Sequence, residues 1–357
     1  MRVLSVDFFR RRLRALSAAF FCLLSLPSLA GEPAQLYEMQ YRGLAMGTLI
    51  TARLIGPGAE LVEKLEPLLE RKIEDYETLF TVHRQGPLYD VNRQAGQWVE
   101  VDCRIAELAE TAKRIARESD RAFEPTIGTL VNVWKIGFGG DKVPERGEIE
   151  KALEKVDYTK IQTERDNGVC RMKIGAGQSI DLGAIAKGWI GTAIIGDLKA
   201  AGASNVVLDL GGNVALLGES PAGRAWKVGI QRPDKDRGEY FAVISAADES
   251  VITSGAYERK IEKDGKRYGH ILSPATGMPV ATDIASVTIV DKDGARADGW
   301  CTALFAMGTE KAVRKMAEQK DLGAFILDAS LRKAWVSKCI ADRVELQDDQ
   351  VQLVVVP

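Results

Sequence analysis

The clearest periodic segment of the chain is 59–80, where apolar residues recur every three or four positions. This spacing predicts an amphipathic helix, because side chains three and four positions apart share one helical face. Its apolar positions are Leu61, Leu65, Leu68, Leu69, Ile73, Tyr76 and Leu79, with Pro67 among them. Residues 105–119 predict a second amphipathic helix, and the small-residue run from Gly188 to Ala201 predicts a third.

Alternating and β-branched residues predict strands elsewhere. Segments 206–209 and 214–217 flank a Gly-Gly-Asn turn, and 226–231 and 241–245 alternate as antiparallel strands do. Segment 44–55 predicts one strand with a glycine at a point of close approach.

Three segments carry weaker patterns. Residues 31–40 are expected to be an exposed lead-in, and 83–97 a polar surface loop. Segment 122–140 is rich in aromatic residues and glycine, which is typical of a loop that wraps a ligand and equally of a loop buried under a sheet.

No long linker, internal repeat or low-complexity tract divides the chain. The pattern therefore predicts a single α+β domain over residues 31–357, with helices packed on an antiparallel-rich sheet.

Residues 1–30 have the pattern of a cleaved signal peptide. Five arginines precede the apolar stretch 15–26, and Ser28-Leu29-Ala30 presents small residues at the positions that a signal peptidase inspects. We expect an exported, periplasmic protein beginning at Gly31, with an uncleaved membrane anchor as the alternative.

Without that segment the formal net charge falls to about −6, and no long basic run remains. This composition argues against a nucleic-acid partner. Four cysteines remain, with no C-x-x-C pair, which disfavours zinc and thioredoxin-type sites. One or two disulfides would suit an oxidising compartment, although the sequence does not pair them. Cys301 is expected to be a small buried residue.

The block from Asp181 to Gly188 carries the first candidate chemistry. Its glycines allow close backbone approach, and Lys187 at a helix start favours an anion such as phosphate. Close helix packing explains the same small residues equally well. Neither a Walker A pattern nor a G-x-G-x-x-G fingerprint is present.

Asp298 and Thr302 form the second candidate site. They stand four residues apart at the head of an apolar run, so their oxygens share a helical face. A carboxylate with a hydroxyl is hard-oxygen ligation of the kind that Mg²⁺ takes when it keeps waters and shares a phosphate. The alternative is that Asp298 only caps the helix.

The mature chain has two histidines. His270 stands in a turn-rich segment ahead of Pro274 and Gly277, where a side chain is readily presented to a cleft; a purely structural hydrogen bond is the alternative. His83 lies in a polar segment and receives no role.

Taken in order, these motifs resemble the ApbE-type FAD:protein FMN transferases. The resemblance spans nearly the whole mature chain and rests on seven motifs. They are Ala45 to Thr48, Phe123 to Thr126 with Trp134 and Gly137, Asp181 to Gly188, Asp209 to Asn213, Ser254-Gly255 with Tyr257 to Arg259, His270-Ile271 with Pro274 and Thr276-Gly277, and Asp298 with Thr302.

The resemblance implies Mg²⁺-dependent transfer of FMN from FAD to a Thr or Ser hydroxyl of an acceptor protein, with release of AMP. It implies that Asp298, Thr302 and the carbonyl of Ala184 hold the metal, and that the acceptor is a membrane redox-complex subunit. Lys187 would lie at the pyrophosphate and Met46 near the adenine, and His270 is the candidate base. The expected flavin-nucleotide contacts are Met46, Gly47, Thr48, Thr126, Asp181, Gly183, Ala184, Lys187, Ser254, Gly255 and His270.

Two departures from the family pattern stand out. Ala256 replaces a frequent Asp, and Gly299-Trp300-Cys301 replaces the usual Ala-Leu-Ser/Thr of the metal-binding helix. The resemblance therefore implies a more flexible residue at the start of this helix, Gly299, and a bulkier one at Trp300. Two other hypotheses therefore stay open: a metal-dependent FAD pyrophosphatase, and a non-catalytic flavin-binding or assembly protein.

Overall fold

The computed structural model describes residues 36–357 except 138, 140, 141, 236, 237, 256–259, 264 and 265. The predicted signal peptide, residues 1–30, lies outside the described residues, so export stays a prediction. No helix in the described ranges is long and apolar enough to cross a bilayer.

The strands of the described chain follow one another in this order: β1 (Tyr37–Ala45), β2 (Thr48–Gly56), β3 (Val99–Val101), β4 (Gln162–Asp166), β5 (Val169–Lys173), β6 (Asn205–Leu210), β7 (Asn213–Leu217), β8 (Trp226–Gln231), β9 (Tyr240–Ala246), β10 (Ser250–Gly255), β11 (Lys260–Lys263), β12 (Lys266–Gly269), β13 (Ile284–Asp291), β14 (Gly323–Asp328), β15 (Lys333–Ser337), β16 (Val344–Leu346) and β17 (Gln352–Val356).

The helices are α1 (Ala59–Phe80), α2 (Pro87–Arg93), α3 (Cys103–Glu118), α4 (Gly128–Trp134), α5 (Arg146–Leu153), α6 (Gly183–Ala200), α7 (Gly294–Met307) and α8 (Thr309–Glu318). Two short 3₁₀ turns lie at Tyr158–Lys160 and Lys338–Arg343.

A nine-stranded sheet organises the fold, in the order β1-β2-β6-β7-β10-β13-β14-β15-β17. Its neighbouring strands are antiparallel, except for the parallel pair β15 and β17. Central strand β13 is buried along nearly its whole length, as expected of a strand covered on both faces. The α+β prediction with an antiparallel-rich sheet is confirmed.

The two faces of this sheet are covered differently. Ile50, Ala52 and Leu54 of β2 belong to the larger hydrophobic core, which they share with helices α1, α3, α6 and α7. Ile55 of the same strand packs into a second core with Phe241 of the three-stranded sheet β16-β9-β8. Successive strand residues point to opposite faces, so β2 contributes to both layers.

Helix α1 has the predicted bounds and contains Pro67. Helix α3 matches the predicted segment 105–119 within two residues. The strand pairs β6/β7 and β8/β9 form where the alternation predicted them. These elements are set by local apolar periodicity, which the sequence displays directly.

Four boundary predictions were wrong. The expected loop 122–140 contains helix α4 (Gly128–Trp134). Segment 44–55 is not one strand, because the chain reverses at Met46-Gly47 and pairs β1 with β2; β1 also takes in residues 37–40 of the expected lead-in. The expected loop 83–97 contains helix α2, with Pro87 at its first turn. Helix α6 begins at Gly183 rather than Gly188. In each case a polar or glycine-rich stretch is ordered by its tertiary neighbours.

Cys103 and Cys170 form a disulfide between the start of α3 and strand β5. Cys301 is buried and Cys339 is exposed, and neither forms a disulfide within the described chain. The structure thus supplies the pairing that the sequence left open and confirms that Cys301 is a small buried residue.

Candidate active site

A cavity of about 1580 Å³ gathers motifs that are far apart in the chain. Of the residues predicted for the site, all but Thr126 and Gly255 line it: Met46, Gly47, Thr48, Asp181, Gly183, Ala184, Lys187, Ser254, His270, Asp298 and Thr302. A volume of this size accommodates a dinucleotide, because drug-sized ligands occupy pockets of roughly 300–1,000 Å³.

The β1–β2 hairpin places Met46 and Gly47 at the cavity. Ala45 pairs with Thr48, which leaves a two-residue turn. Both turn residues have positive φ, 52° at Met46 and 68° at Gly47, as the twist of such a hairpin requires. The carboxylate of Glu77 in α1 accepts a hydrogen bond from the Met46 amide at 2.9 Å. Helix α1 therefore holds the tip of the hairpin in place.

The first turn of α6 contributes Gly183, Ala184 and Lys187 to the wall. The Gly183 amide donates to Oδ1 of Asp181 at 2.8 Å, so this carboxylate occupies one of the donors at the helix start. Lys187 Nζ lies 3.4 Å from Oδ1 of Asn213 at the start of β7. Asn213 is buried, and its Nδ2 has no hydrogen-bond partner among the residues that the structure describes. The ammonium group is thereby directed towards the Gly-Gly-Asn turn.

Asp298 is 2% exposed and lies inside α7, not at its start. The helix begins at Gly294 and is capped by Asp293, whose Oδ1 accepts from the Arg296 amide at 3.2 Å. The interpretation of Asp298 as a helix cap is therefore wrong. Its Oδ2 instead accepts a hydrogen bond from the Gly188 amide at 2.9 Å, and Thr302 follows one turn later.

Helices α6 and α7 approach closely enough for this bond because both have glycine at the crossing. A Cβ placed on Gly188 would lie 1.9 Å from the carbonyl oxygen of Gly294, and one on Gly294 would lie 2.2 Å from that of Gly188. The small-residue block thus packs closely against α7 and also lines the cavity. The two interpretations do not compete here.

The donor set fits a hard divalent cation. Asp298 is a buried carboxylate that forms no ion pair within the described chain, and burying such a charge is costly unless it is compensated. Thr302 and Ala184 line the same cavity. A regular helix would direct the Gly188 amide to the Ala184 carbonyl. This amide also donates a hydrogen bond to Asp298. Within the described ranges no three His, Cys, Asp or Glu residues cluster. Mg²⁺ usually binds through one or two carboxylates and completes its coordination with waters and phosphate oxygens.

His270 follows β12 and lines the cavity. The turn beyond it is closed by the Gly277 amide, which donates to the Ser273 carbonyl at 2.8 Å. Trp134 of α4 donates from Nε1 to the Gly277 carbonyl at 2.8 Å. The aromatic segment around α4 therefore supports the histidine-bearing loop as well as contributing Val131 and Trp134 to the cavity wall.

Thr126 does not line the cavity. It is fully buried; its hydroxyl donates to Glu124 Oε1 at 2.7 Å and accepts from the Asp157 amide at 2.8 Å. Its neighbours Phe123 and Glu124 reach the wall instead. Gly255, the other predicted residue outside the lining, ends β10 in a buried position. Ala256 lies outside the described residues.

Cys301 connects helix α7 to the sheet. Its sulfur accepts from the Ser254 amide at 3.1 Å and lies 3.1 Å from the Val287 carbonyl oxygen. The neighbouring departures from the family pattern are also accommodated: Trp300 is buried, and Ile115 fills the space beside Gly299. Both residues stand in the helix interior, so Gly299 does not loosen a helix start.

Several lining residues were not predicted from the sequence. His83 lines the cavity although it received no role, and cationic side chains come from Arg42, Arg84, Arg232 and Lys235. Arg84 pairs with Glu77 at 3.4 Å. The carboxylates of Asp348 and Asp234 raise the pKa of Arg232. These residues belong to no local motif, so only the folded chain identifies them.

Comparison with known proteins agrees with this geometry. The model of the ApbE family matches residues 46–326. A FAD:protein FMN transferase of Treponema pallidum is 34% identical over 343 residues, covering 92% of this chain and 94% of the relative. The transferase of Klebsiella pneumoniae is 33% identical over 290 residues, covering 80% and 88% respectively.

Solved structures give the same result. The apo flavinyl transferase ApbE of Pseudomonas stutzeri superposes with a TM-score of 0.70 at 28% identity, covering 82% of this chain and 91% of that one. The flavin transferase ApbE of Vibrio cholerae superposes with a TM-score of 0.75 at 26% identity, covering 86% and 99%.

Proposed function

The chain belongs to the ApbE family, and from this membership we propose that it transfers FMN from FAD to a hydroxyl group of an acceptor protein. The observation that carries the proposal is the convergence of Asp298, Thr302, Lys187 and His270 on one cavity of dinucleotide size. These residues come from α6, α7 and the loop after β12, which are far apart in the sequence.

The reaction exchanges a phosphoanhydride bond of FAD for a phosphoester bond to the acceptor. The acceptor oxygen forms a bond to the FMN phosphorus, and the bond from that phosphorus to the bridging pyrophosphate oxygen breaks. AMP departs with the bridging oxygen, and the hydroxyl proton passes to a base. Such a transfer depends mainly on positioning and on neutralising the charge that develops on the phosphates.

Mg²⁺ is the proposed metal, held by Asp298, Thr302 and the carbonyl of Ala184. When bound, it would neutralise charge on the pyrophosphate oxygens. The support for it is a buried carboxylate without an ion pair in the described chain, next to a hydroxyl on the same helical face. The bond from the Gly188 amide orients that carboxylate before any ligand enters.

Lys187 and His270 complete the proposed chemistry. Lys187 would attract the pyrophosphate, and its contact with Asn213 restrains the long side chain. His270 would accept the proton of the attacking hydroxyl, which is worth roughly 10²–10⁴-fold in rate for a well-placed base. Met46, Gly47, Thr48, Asp181, Gly183 and Ser254 would contact FAD along the rest of the wall.

We further propose that the protein acts after export, on an acceptor such as a membrane redox-complex subunit facing the same compartment. The signal-peptide pattern of residues 1–30 supports export. The Cys103–Cys170 disulfide supports it independently, because disulfides persist in oxidising compartments.

One assay separates the open hypotheses. The exported protein is incubated with FAD and Mg²⁺, with and without the flavin-free soluble domain of a redox-complex subunit that carries covalent FMN. Flavinylated acceptor plus AMP is the expected result. Free FMN plus AMP, with no labelled acceptor, would indicate a pyrophosphatase, and no turnover would indicate a flavin-binding protein. Chelation of the metal should abolish the transfer.

A further inference from the structure

An exposed pair of leucines lies at the tip of the β1–β2 hairpin. Leu44 is 72% exposed and Leu49 is 41% exposed, and the two are cross-strand partners in the antiparallel register. Directly opposed residues of such a pair place their side chains on the same face of the sheet. Leu44 and Leu49 therefore form one apolar patch, which we call the hairpin patch.

The hairpin patch adjoins the cavity. The next pair along the same face is Arg42 and Thr51, since residues two apart on a strand share a face, and both line the cavity. On the other side of the patch, the turn residues Met46 and Gly47 line it too. The leucines thus stand between two parts of the cavity wall and still face solvent.

None of the three hydrophobic cores of the described chain contains the patch. The apolar residues that follow Leu49 in β2 are buried. Ile50 and Leu54 lie in one core, and Ile55 lies in another. Leu44 and Leu49 belong to none of these clusters. A paired apolar surface that folding leaves in water, beside a reaction site, is typical of an interaction site.

We propose that the hairpin patch is the docking surface for the acceptor protein. The inference rests on the proposed function, which requires a hydroxyl on a folded partner to reach the cavity. A partner that inserts one of its residues must touch the rim, and the patch is the exposed apolar part of the rim on this hairpin. The tip is also restrained, because the Met46 amide donates a hydrogen bond to Glu77, which lowers the cost of ordering it on docking.

The hairpin patch is separate from the metal and base machinery. Asp298 and Thr302 lie on α7, Lys187 lies on α6, and His270 follows β12. Acceptor recognition can therefore be removed without touching the reacting groups. The partner face is expected to be apolar where it meets the leucines.

The test is a double variant, Leu44→Ser with Leu49→Ser, assayed with FAD, Mg²⁺ and the flavin-free soluble domain of an FMN-carrying redox subunit. The KM for the acceptor domain should rise at least about tenfold, since burying a leucine side chain contributes enough for that factor. The kcat at saturating acceptor and the FAD affinity from fluorescence titration should stay within about twofold, which also shows that the variant is folded.

Val355→Ser is the matched control. Val355 is 51% exposed on β17, the strand at the opposite edge of the same sheet, and its loss should leave the KM for the acceptor unchanged. An unchanged KM in the leucine variant would overturn the proposal, as would weakened FAD binding, which would make the patch part of the nucleotide site. If the unmodified protein labels no acceptor, the proposed function itself fails, and the docking surface with it.

Discussion

The backbone amide of Gly188 donates a hydrogen bond to Oδ2 of Asp298 at 2.9 Å, across 110 positions of sequence. The bond joins the two motifs that carry the proposed phosphate and metal chemistry. It forms because α6 and α7 cross where Gly188 meets Gly294, with space for no side chain between them. The orientation of the candidate metal ligand therefore depends on a packing contact between glycines.

Gly188→Ala should damage fold and site together. The added Cβ would lie 1.9 Å from the Gly294 carbonyl oxygen, so the helices must separate. We expect a loss of about 3 kcal/mol or more in the free energy of unfolding, at the upper end for overpacking, with loss of flavin transfer. Urea denaturation and the transfer assay measure the two effects.

Gly196→Ala in the same helix is the control. A Cβ there meets nothing within 4 Å, so the higher helix propensity of alanine should stabilise the protein by up to about 1 kcal/mol. Equal effects of the two substitutions would contradict the packing argument.

Asp298→Asn should remove the negative charge of the side chain while keeping its shape. Asparagine retains an oxygen that can accept from the Gly188 amide, so the fold should survive while the negative ligand is lost. Transfer at limiting Mg²⁺ should fall at least about a hundredfold if the carboxylate holds the metal. Transfer rates measured over a series of Mg²⁺ concentrations test this. A native rate at limiting Mg²⁺ would remove Asp298 from the site.

Asp293→Ala is the complementary variant, because Asp293 caps α7 and does not line the cavity. It should cost about 1 kcal/mol of stability and leave the Mg²⁺ dependence of transfer unchanged. A changed Mg²⁺ dependence would mean that helix capping and metal binding are not separable here.

His270→Ala tests the assignment of the base. If His270 accepts the hydroxyl proton, single-turnover transfer should slow by about 10²–10⁴-fold while FAD affinity stays nearly intact. His83→Ala, at the second histidine of the wall, should retain the transfer rate. Weakened FAD binding with normal chemistry in the His270 variant would leave that residue only a structural role.

Reduction of the Cys103–Cys170 disulfide should destabilise the protein. The two cysteines are 67 positions apart, and closing a loop of that length in the unfolded chain corresponds to about 4 kcal/mol. Denaturation midpoints with and without dithiothreitol measure the change. Cys339→Ala, at the exposed free thiol, should leave the midpoint unaltered, and insensitivity to dithiothreitol would refute the prediction.

Alkaline stability should reflect Tyr76 of α1. Burial, with a hydrogen bond from its hydroxyl to Asp197 of α6, raises the pKa of Tyr76 from 10.0 to about 12. The folded state thus retains this proton more tightly than the unfolded state. The contribution is complete below pH 10 and is lost as the pH rises to 12, by about 2 kcal/mol. In Tyr76→Phe, unfolding free energies measured over this range should decline less steeply, and an unchanged decline would assign the loss to other groups.

The sequence by itself determined the elements that local periodicity encodes. The bounds of α1, the helix at 103–118 and the pairs β6/β7 and β8/β9 follow from apolar spacing and turn residues. The ordered motifs also identified the family, and most of the residues that they predicted for the site line the cavity. The shared helical face of Asp298 and Thr302 could be inferred because four-residue spacing is itself a helical relationship.

The tertiary structure alone decided how these pieces meet. It paired Cys103 with Cys170, placed Asp298 inside α7, engaged the hydroxyl of Thr126 in protein hydrogen bonds, and brought His83 to the cavity wall. None of these relationships has a local signature, because each depends on contacts between residues distant in sequence. Such contacts form only when the packing of helices and sheets closes the long loops between them, and a single sequence records the residues without recording that packing.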